Sequence, residues 1–250
     1  MLRNIFVCIL FCFFLVDHVH AQDDRSQEKN ILYKQNADFG ILVNTGGYGL
    51  DAQFIKQRTV NDHQLIDLSI LELKNPKEIA QPNPIISGSN AYVFGKLNNL
   101  IVLNFSYGTR YVLADRNIPN DVKVDLNYSL GPVIGWLKPV YYQVRVTSPD
   151  GTQPEIIEAK FDPNNTTYQE NTLGVAPEPF KGVNESFFIF GGCAKAGLNF
   201  EWGKADYKYW SLETGVMVDA FPTPVPIFAT IKNDQVFVNL YLSFSYGIRK

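Results

Sequence analysis

The stretch Val236-Phe237-Val238-Asn239-Leu240-Tyr241-Leu242-Ser243-Phe244-Ser245-Tyr246-Gly247-Ile248, followed by Arg249 and Lys250, decides the fold. Every second residue from Val236 to Ile248 is apolar. The residues between them, Phe237, Asn239, Tyr241, Ser243, Ser245 and Gly247, are mostly polar or small. Side chains alternate across a strand with period two, so this segment is a strand with one wholly apolar face. A soluble sheet turns such a face into a core. A transmembrane barrel turns it toward lipid, over strands of roughly 9–11 residues, and keeps the polar face in the lumen.

The pattern recurs along the chain. Strands are expected at about 38–57, with a break point at Thr45-Gly46-Gly47, then at 64–73, 100–113, 122–136, 140–146, 187–202, 207–220 and 236–248. The apolar sets include Tyr48, Leu50, Ala52 and Phe54, then Ile101, Leu103, Phe105 and Tyr107, and Phe188, Phe190, Ala194, Ala196 and Leu198. Eight is the even count of a small single-chain barrel. The fold class is therefore all-β, an antiparallel transmembrane β-barrel of about eight strands whose lumen is filled by side chains. With this strand list the connections at 58–63, 115–120, 147–186 and 221–235 fall on one side, taken as extracellular, and Gly203-Lys204-Ala205-Asp206 on the other. The connection at 74–99 breaks the pattern, because it is long where a tight periplasmic turn is expected.

In four strands the face opposite the apolar one carries charge: Arg110, Lys123 with Asp125, Lys195 with Glu201, and Glu213 with Asp219. Unpaired charges in a soluble core cost several kcal/mol. In a narrow lumen they neutralise one another, and these seven residues are the expected lumen network. The same alternation fits a soluble, secreted β-barrel that binds a ligand with its apolar faces inward. Trp136, Trp202, Tyr207 and Tyr246 near strand ends, where an interfacial aromatic girdle belongs, favour the membrane form.

The N-terminus supports export. Arg3, the apolar run Ile5–Val16 and Val19-His20-Ala21 have the layout of a secretory signal peptide over 1–21, cleaved near Ala21. Residues 22–37 form a polar lead-in and 38–250 the barrel domain. The apolar run is too short for a spanning helix, and no later segment has about 20 apolar residues. Cys8 and Cys12 lie in the signal, which leaves Cys193 alone afterwards and no internal disulfide. The expected location is the outer membrane of a Gram-negative bacterium. Charged residues make up 19% of the chain and the net charge is −3, with no basic patch, so nucleic acid is excluded as a partner.

No residues gather into an active site. His63, in the Asn61-Asp62-His63 turn, is the one histidine after the signal, and no serine pairs with it as a nucleophile. It is the base that a lipid A-modifying enzyme on this scaffold would have to use; otherwise it is a solvated loop histidine. A lone cysteine and a lone histidine give no metal site. No enzyme activity, cofactor or small-molecule ligand is expected. Function is expected in loops: Asn75-Pro76-Lys77-Glu78, and the Pro-stiffened Phe221-Pro222-Thr223-Pro224-Val225-Pro226, pre-organised for docking.

Leu73–Ile79, Phe94–Asn99, Leu130–Tyr142 and Ala220–Phe228 resemble a family of small outer-membrane barrels widespread in Bacteroidota, over nearly the whole chain after the signal. The resemblance implies a non-catalytic scaffold or partner subunit. Within that phylum it points to the small barrel accompanying the outer-membrane assembly machinery, or to the small barrels of type IX secretion. Its partners would be outer-membrane lipid and other outer-membrane proteins or lipoproteins, and it brings no catalytic residues with it.

Overall fold

The computed structural model describes residues 35–115, 121–147, 154–178, 180–205 and 207–250. The expected signal peptide and most of the expected lead-in lie outside them. The strands are β1 (Gln35–Asn44), β2 (Gly47–Gln57), β3 (Asp62–Leu73), β4 (Ala80–Gln81), β5 (Tyr92–Val93), β6 (Asn98–Ala114) and β7 (Lys123–Pro139). They continue with β8 (Tyr141–Thr147), β9 (Pro154–Lys160), β10 (Thr172–Val175), β11 (Phe187–Ala205), β12 (Lys208–Ala220) and β13 (Val236–Arg249). Eight of them close an antiparallel barrel in the order β1-β13-β12-β11-β7-β6-β3-β2. The seam pairs β1 with β13, Asn36 opposite Arg249 through Asn44 opposite Tyr241, so the barrel has no free edge.

The count of eight stands, but two of its members differ from expectation. The first expected strand is a hairpin, β1 and β2, joined by the two-residue turn Thr45-Gly46. The expected strand at 140–146 is β8, which leaves the barrel after Pro139 and pairs with β9 and β10 instead. These changes cancel in number and reorder the ends. Gln35, Lys250 and the connections 58–61, 115–122 and 206–207 share one end, the turn end. The other, the loop end, holds Thr45-Gly46 and the long connections 74–97, 140–186 and 221–235. Connections 58–63 and 115–120 thus lie opposite 147–186, not beside it, and 74–97 is no longer an exception. The three long connections gather at one end, together with the tight Thr45-Gly46 turn, and the other end has shorter connections alone, as in transmembrane barrels.

Which face is outside is settled by exposure. Along β13, Val238 is 65% and Leu240 63% exposed, whereas Ser243 is 1% and Tyr241 3% exposed. Phe39, Ile41, Leu50, Leu103, Phe105, Leu130, Phe190 and Leu242 extend the exposed apolar surface around the wall. An apolar belt of that extent in water would drive aggregation; in hydrocarbon it is the solvated face. Aromatic rings mark its turn-end margin. Trp210 stacks on Phe244 at 5.1 Å between centroids and meets Tyr246 edge-on at 5.0 Å. Tyr48, Trp136 and Phe188 stand at the loop-end margin. The soluble alternative needed these faces inward, and they point out. No helix among the described residues is long and apolar enough to cross a membrane.

The lumen is filled, and it changes character along its length. Toward the turn end it is polar. Toward the loop end it is an apolar core of Leu42, Leu71, Leu100, Val102, Val133, Leu137 and Met217. Two inward glycines make room for rings that cross the interior. A Cβ at Gly247 would lie 2.2 Å from the Tyr209 ring, and one at Gly197 would lie 2.3 Å from the Tyr241 hydroxyl.

Candidate functional site

Two regions carry the chemistry: the polar part of the lumen and the structure built over the loop end. In the lumen, Arg110 on β6 is the hub, 1% exposed. It pairs with Asp38 on β1 at 3.1 Å, donates to Gln53 Oε1 on β2 at 2.6 Å, and donates through Nε to Asn127 Oδ1 on β7 at 3.1 Å. Tyr209 donates its hydroxyl to the same Asp38. Asn127 and Gln53 then donate to Glu213 on β12, at 2.7 and 2.9 Å. Lys195 on β11 bridges Asp67 at 2.8 Å and Glu213 at 3.4 Å, and lies 4.7 Å from the Tyr241 ring centroid. The network thereby ties β1, β2, β3, β6, β7, β11 and β12 across the interior. Buried charges survive only when paired and hydrogen-bonded, and here each cation has its carboxylate.

Of the expected lumen residues, Arg110, Lys195 and Glu213 meet in this network. Lys123 and Asp125 form their own pair at 3.0 Å nearer the turn end, and Glu201 pairs with Arg249. Asp219 stands apart, fully buried beside the apolar half, with Cys193 opposite it on β11. Asp38, Gln53, Tyr209, Tyr241 and Arg249 are members the sequence reading did not single out. Their signal was parity: each sits on the non-apolar face of its strand. Asn104 and Asn127 face this interior and are buried.

His63 is not a solvated turn residue. It is the second residue of β3, 9% exposed, and faces the interior near Lys123, Asp125 and Arg110. A base for a lipid substrate must reach the lipid side of the wall, and this one points the other way. Among the described residues no group of histidine, cysteine and carboxylate could hold a metal.

The loop end is covered by its own connections. Residues 221–228 do not project. Phe221, Val225, Ile227 and Phe228 are buried and join the apolar core inside the barrel mouth. Asn98 donates through Nδ2 to the Pro226 carbonyl at 2.7 Å, and the Leu97 amide donates to the Ile227 carbonyl at 2.7 Å. The Asn233 side chain accepts from the Ile227 and Phe228 amides at 3.1 and 2.9 Å. The expected docking segment is therefore a plug, and of its expected contact residues only Pro222 and Pro224 are exposed. Phe221 is withdrawn because the barrel mouth offers it an apolar seat.

The other expected loop braces this plug. Asn75 is buried and donates to Asp234 at 2.8 Å, and Lys77 reaches the same carboxylate at 3.0 Å. Those two hydrogen bonds hold the Asp234 carboxyl below its usual range. Glu78 accepts from the Asn75 amide at 3.0 Å and pairs with Lys96. Pro76 and Lys77 remain exposed.

Beside the plug stands a small folded platform. β8 lies between β10 and β9 in a three-stranded sheet, over a core of Tyr92, Val140, Tyr142 and Val144. Tyr142 donates to the Lys96 carbonyl at 2.8 Å; burial pushes its phenol well up. Asn83 fixes the 83–92 segment by donating to the Glu170 and Thr172 carbonyls, each at 2.9 Å. β9 is an edge strand with no further neighbour among the described residues. Ile156 on it and Phe180, next to the Lys181 that pairs with Glu158, are strongly exposed, while Ile85 is exposed on the β10 side, where Asn83 is fixed.

No family model matches the chain, and no curated protein matches it in sequence. Among solved structures it is similar to Ail, the attachment invasion locus protein of Yersinia pestis, at 10% identity and TM-score 0.41, over 87% of this chain and 99% of that one. Neisserial surface protein A is similar at 11% identity and TM-score 0.40, over 87% and 97%. A major outer membrane protein from Thermus thermophilus stands at 9% identity and TM-score 0.45, over 88% and 100%. Likenesses this distant decide nothing about partner or activity. The barrel itself rests on the strand register and on the outward apolar belt.

Proposed function

We propose that the protein is a non-catalytic outer-membrane barrel serving as a scaffold or partner subunit of an envelope protein-assembly or secretion complex. The observation that carries this reading is the loop-end platform. It is a folded module with its own core, and it presents an open strand edge, β9, with Ile156 exposed on it and Phe180 exposed next to Lys181, which pairs with Glu158 of that strand. An unpaired strand edge that carries an exposed isoleucine suits strand addition by a partner. The lumen argues against transport, because ion pairs and the 221–228 plug occupy it. The residues quoted for the resemblance to small Bacteroidota barrels point the same way. By the loop-length rule the platform faces outward from the cell and the turn end faces the periplasm.

The test is purification of a tagged copy from outer membranes in mild detergent. Recovery of a large barrel and lipoproteins in stoichiometric amounts is expected. Ile156→Lys, which leaves every barrel strand untouched, is expected to cut that recovery about ten-fold, the effect of losing one interface hot spot. A monodisperse monomer, or recovery indifferent to Ile156→Lys, would count against the platform as the docking surface.

A further inference from the structure

We propose that the outer wall at the turn end binds one anionic glycerophospholipid, with an acyl chain lying over Ala37 and the phosphate held by Lys56 and Lys250. The site rests on the membrane reading and adds a specific ligand to it. Its shape follows from the register. Ala37 is the small outward residue of β1, directly opposite Phe54 on one neighbouring strand and Ile248 on the other. Phe54 in turn faces Ile66 on β3. One small side chain among three large ones leaves a groove of about 370 Å³. Its floor is Ala37 and its walls are Phe54, Ile66 and Ile248.

Such a groove opens on the apolar belt. In a bilayer an apolar trough holds neither vacuum nor water comfortably, since a void forfeits dispersion contacts and water there lacks polar partners. A hydrocarbon chain fills it without either cost. The polar rim lies at one end only. Gln35 sits between Lys56, its partner on β2, and Lys250, to which it is tied by two backbone hydrogen bonds of 3.1 and 2.8 Å. Both lysines are exposed, no Asp or Glu is among the groove's lining residues, and neither lysine has an ion-pair partner among the described residues. Two ammonium groups at the margin of an apolar trough match a phosphate at the head of an acyl chain. A zwitterionic headgroup gains less there, because its own cation opposes the lysines.

The experiment is native mass spectrometry of the full chain released from bilayers of equal phosphatidylglycerol and phosphatidylcholine. One retained phosphatidylglycerol per barrel is expected. Lys56→Gln and Lys250→Gln should each lower its retention about five-fold. Ala37→Phe should abolish retention with both lysines present, because the ring occupies the groove. Equal retention of phosphatidylcholine, or an adduct that survives Ala37→Phe, would overturn the proposal. So would an adduct seen only after removal of residues 22–33, which would give the groove to the chain's own segment. Folding is read separately, as the shift in gel mobility on heating. An inserted, heat-modifiable barrel with no adduct refutes the lipid site alone; failure to insert refutes the membrane reading beneath it.

Discussion

Arg110→Ala is expected to destabilise the barrel by about 3–5 kcal/mol, the cost of leaving a buried charge without its partner. Asp38, 1% exposed, would keep its carboxylate in the interior with the Tyr209 hydroxyl still donating to it but its paired guanidinium gone. Gln53 and Asn127 would no longer accept from the guanidinium, at 2.6 and 3.1 Å, and the link between β1 and β7 would go with it. Arg110→Lys keeps a charge but not the planar fork that serves three acceptors at once, so it should recover only part of the loss. The double variant Arg110→Met with Asp38→Leu removes both charges and should regain most of it, since apolar replacement of a buried pair is often neutral or better. Urea unfolding in detergent, followed by heat-modifiable mobility, measures all of these. An Arg110→Ala barrel within about 0.5 kcal/mol of the parent would mean that the network is incidental to the fold.

Leu242→Arg is the second large effect, about 2–4 kcal/mol when the barrel stands in a bilayer. Leu242 lies midway along β13, points outward and is 49% exposed. In hydrocarbon an arginine there has no water within reach. The same change at Ile248, at the turn-end margin of the same face, should cost about 0–1 kcal/mol, because the guanidinium reaches the interface. That depth dependence separates a lipid-facing wall from a water-facing one, on which both variants would be harmless. Unfolding titrations in lipid vesicles supply the comparison.

Much of this was legible in the chain. Period-two alternation named most barrel strands and separated an apolar face from a polar one, because lipid outside and ion pairs inside act on alternate residues. Which of the two faces outward came from the exposure of Val238 and Leu240 against Tyr241 and Ser243. The β1–β2 turn had a signal that length obscured. Outward residues are odd-numbered in β1 (Phe39, Ile41, Val43) and even-numbered in β2 (Tyr48, Leu50, Phe54). A continuous strand cannot change parity without a bulge, so the switch at Thr45-Gly46 marks a hairpin. β8 was misplaced for the converse reason. Tyr142 and Val144 alternate as well as any barrel strand, but they face the small core of the platform, and alternation does not say which core a strand serves.

The candidate site was less legible. Arg110, Lys195 and Glu213 could be placed in the lumen, but their partners come from strands tens of residues away, and register across a closed barrel is a property of the whole. The 221–228 segment was misread for a physical reason. Its prolines make it stiff, which suits docking; its Val225, Ile227 and Phe228 need burial, and the apolar mouth that buries them is assembled by residues of seven barrel strands.

The alternation on β13 places lipid on one face and the packed lumen on the other. Nitroxide scanning from 236 to 248, in vesicles, in a chain whose own cysteines have been replaced, reads the two faces separately. Labels at 238, 240, 242 and 244 should be accessible to dissolved oxygen and shielded from a polar nickel reagent, while labels at 239, 241, 243 and 245 should be reached by neither. Access of the nickel reagent to 240 and 242 would put water where the barrel requires lipid, and would contradict that placement.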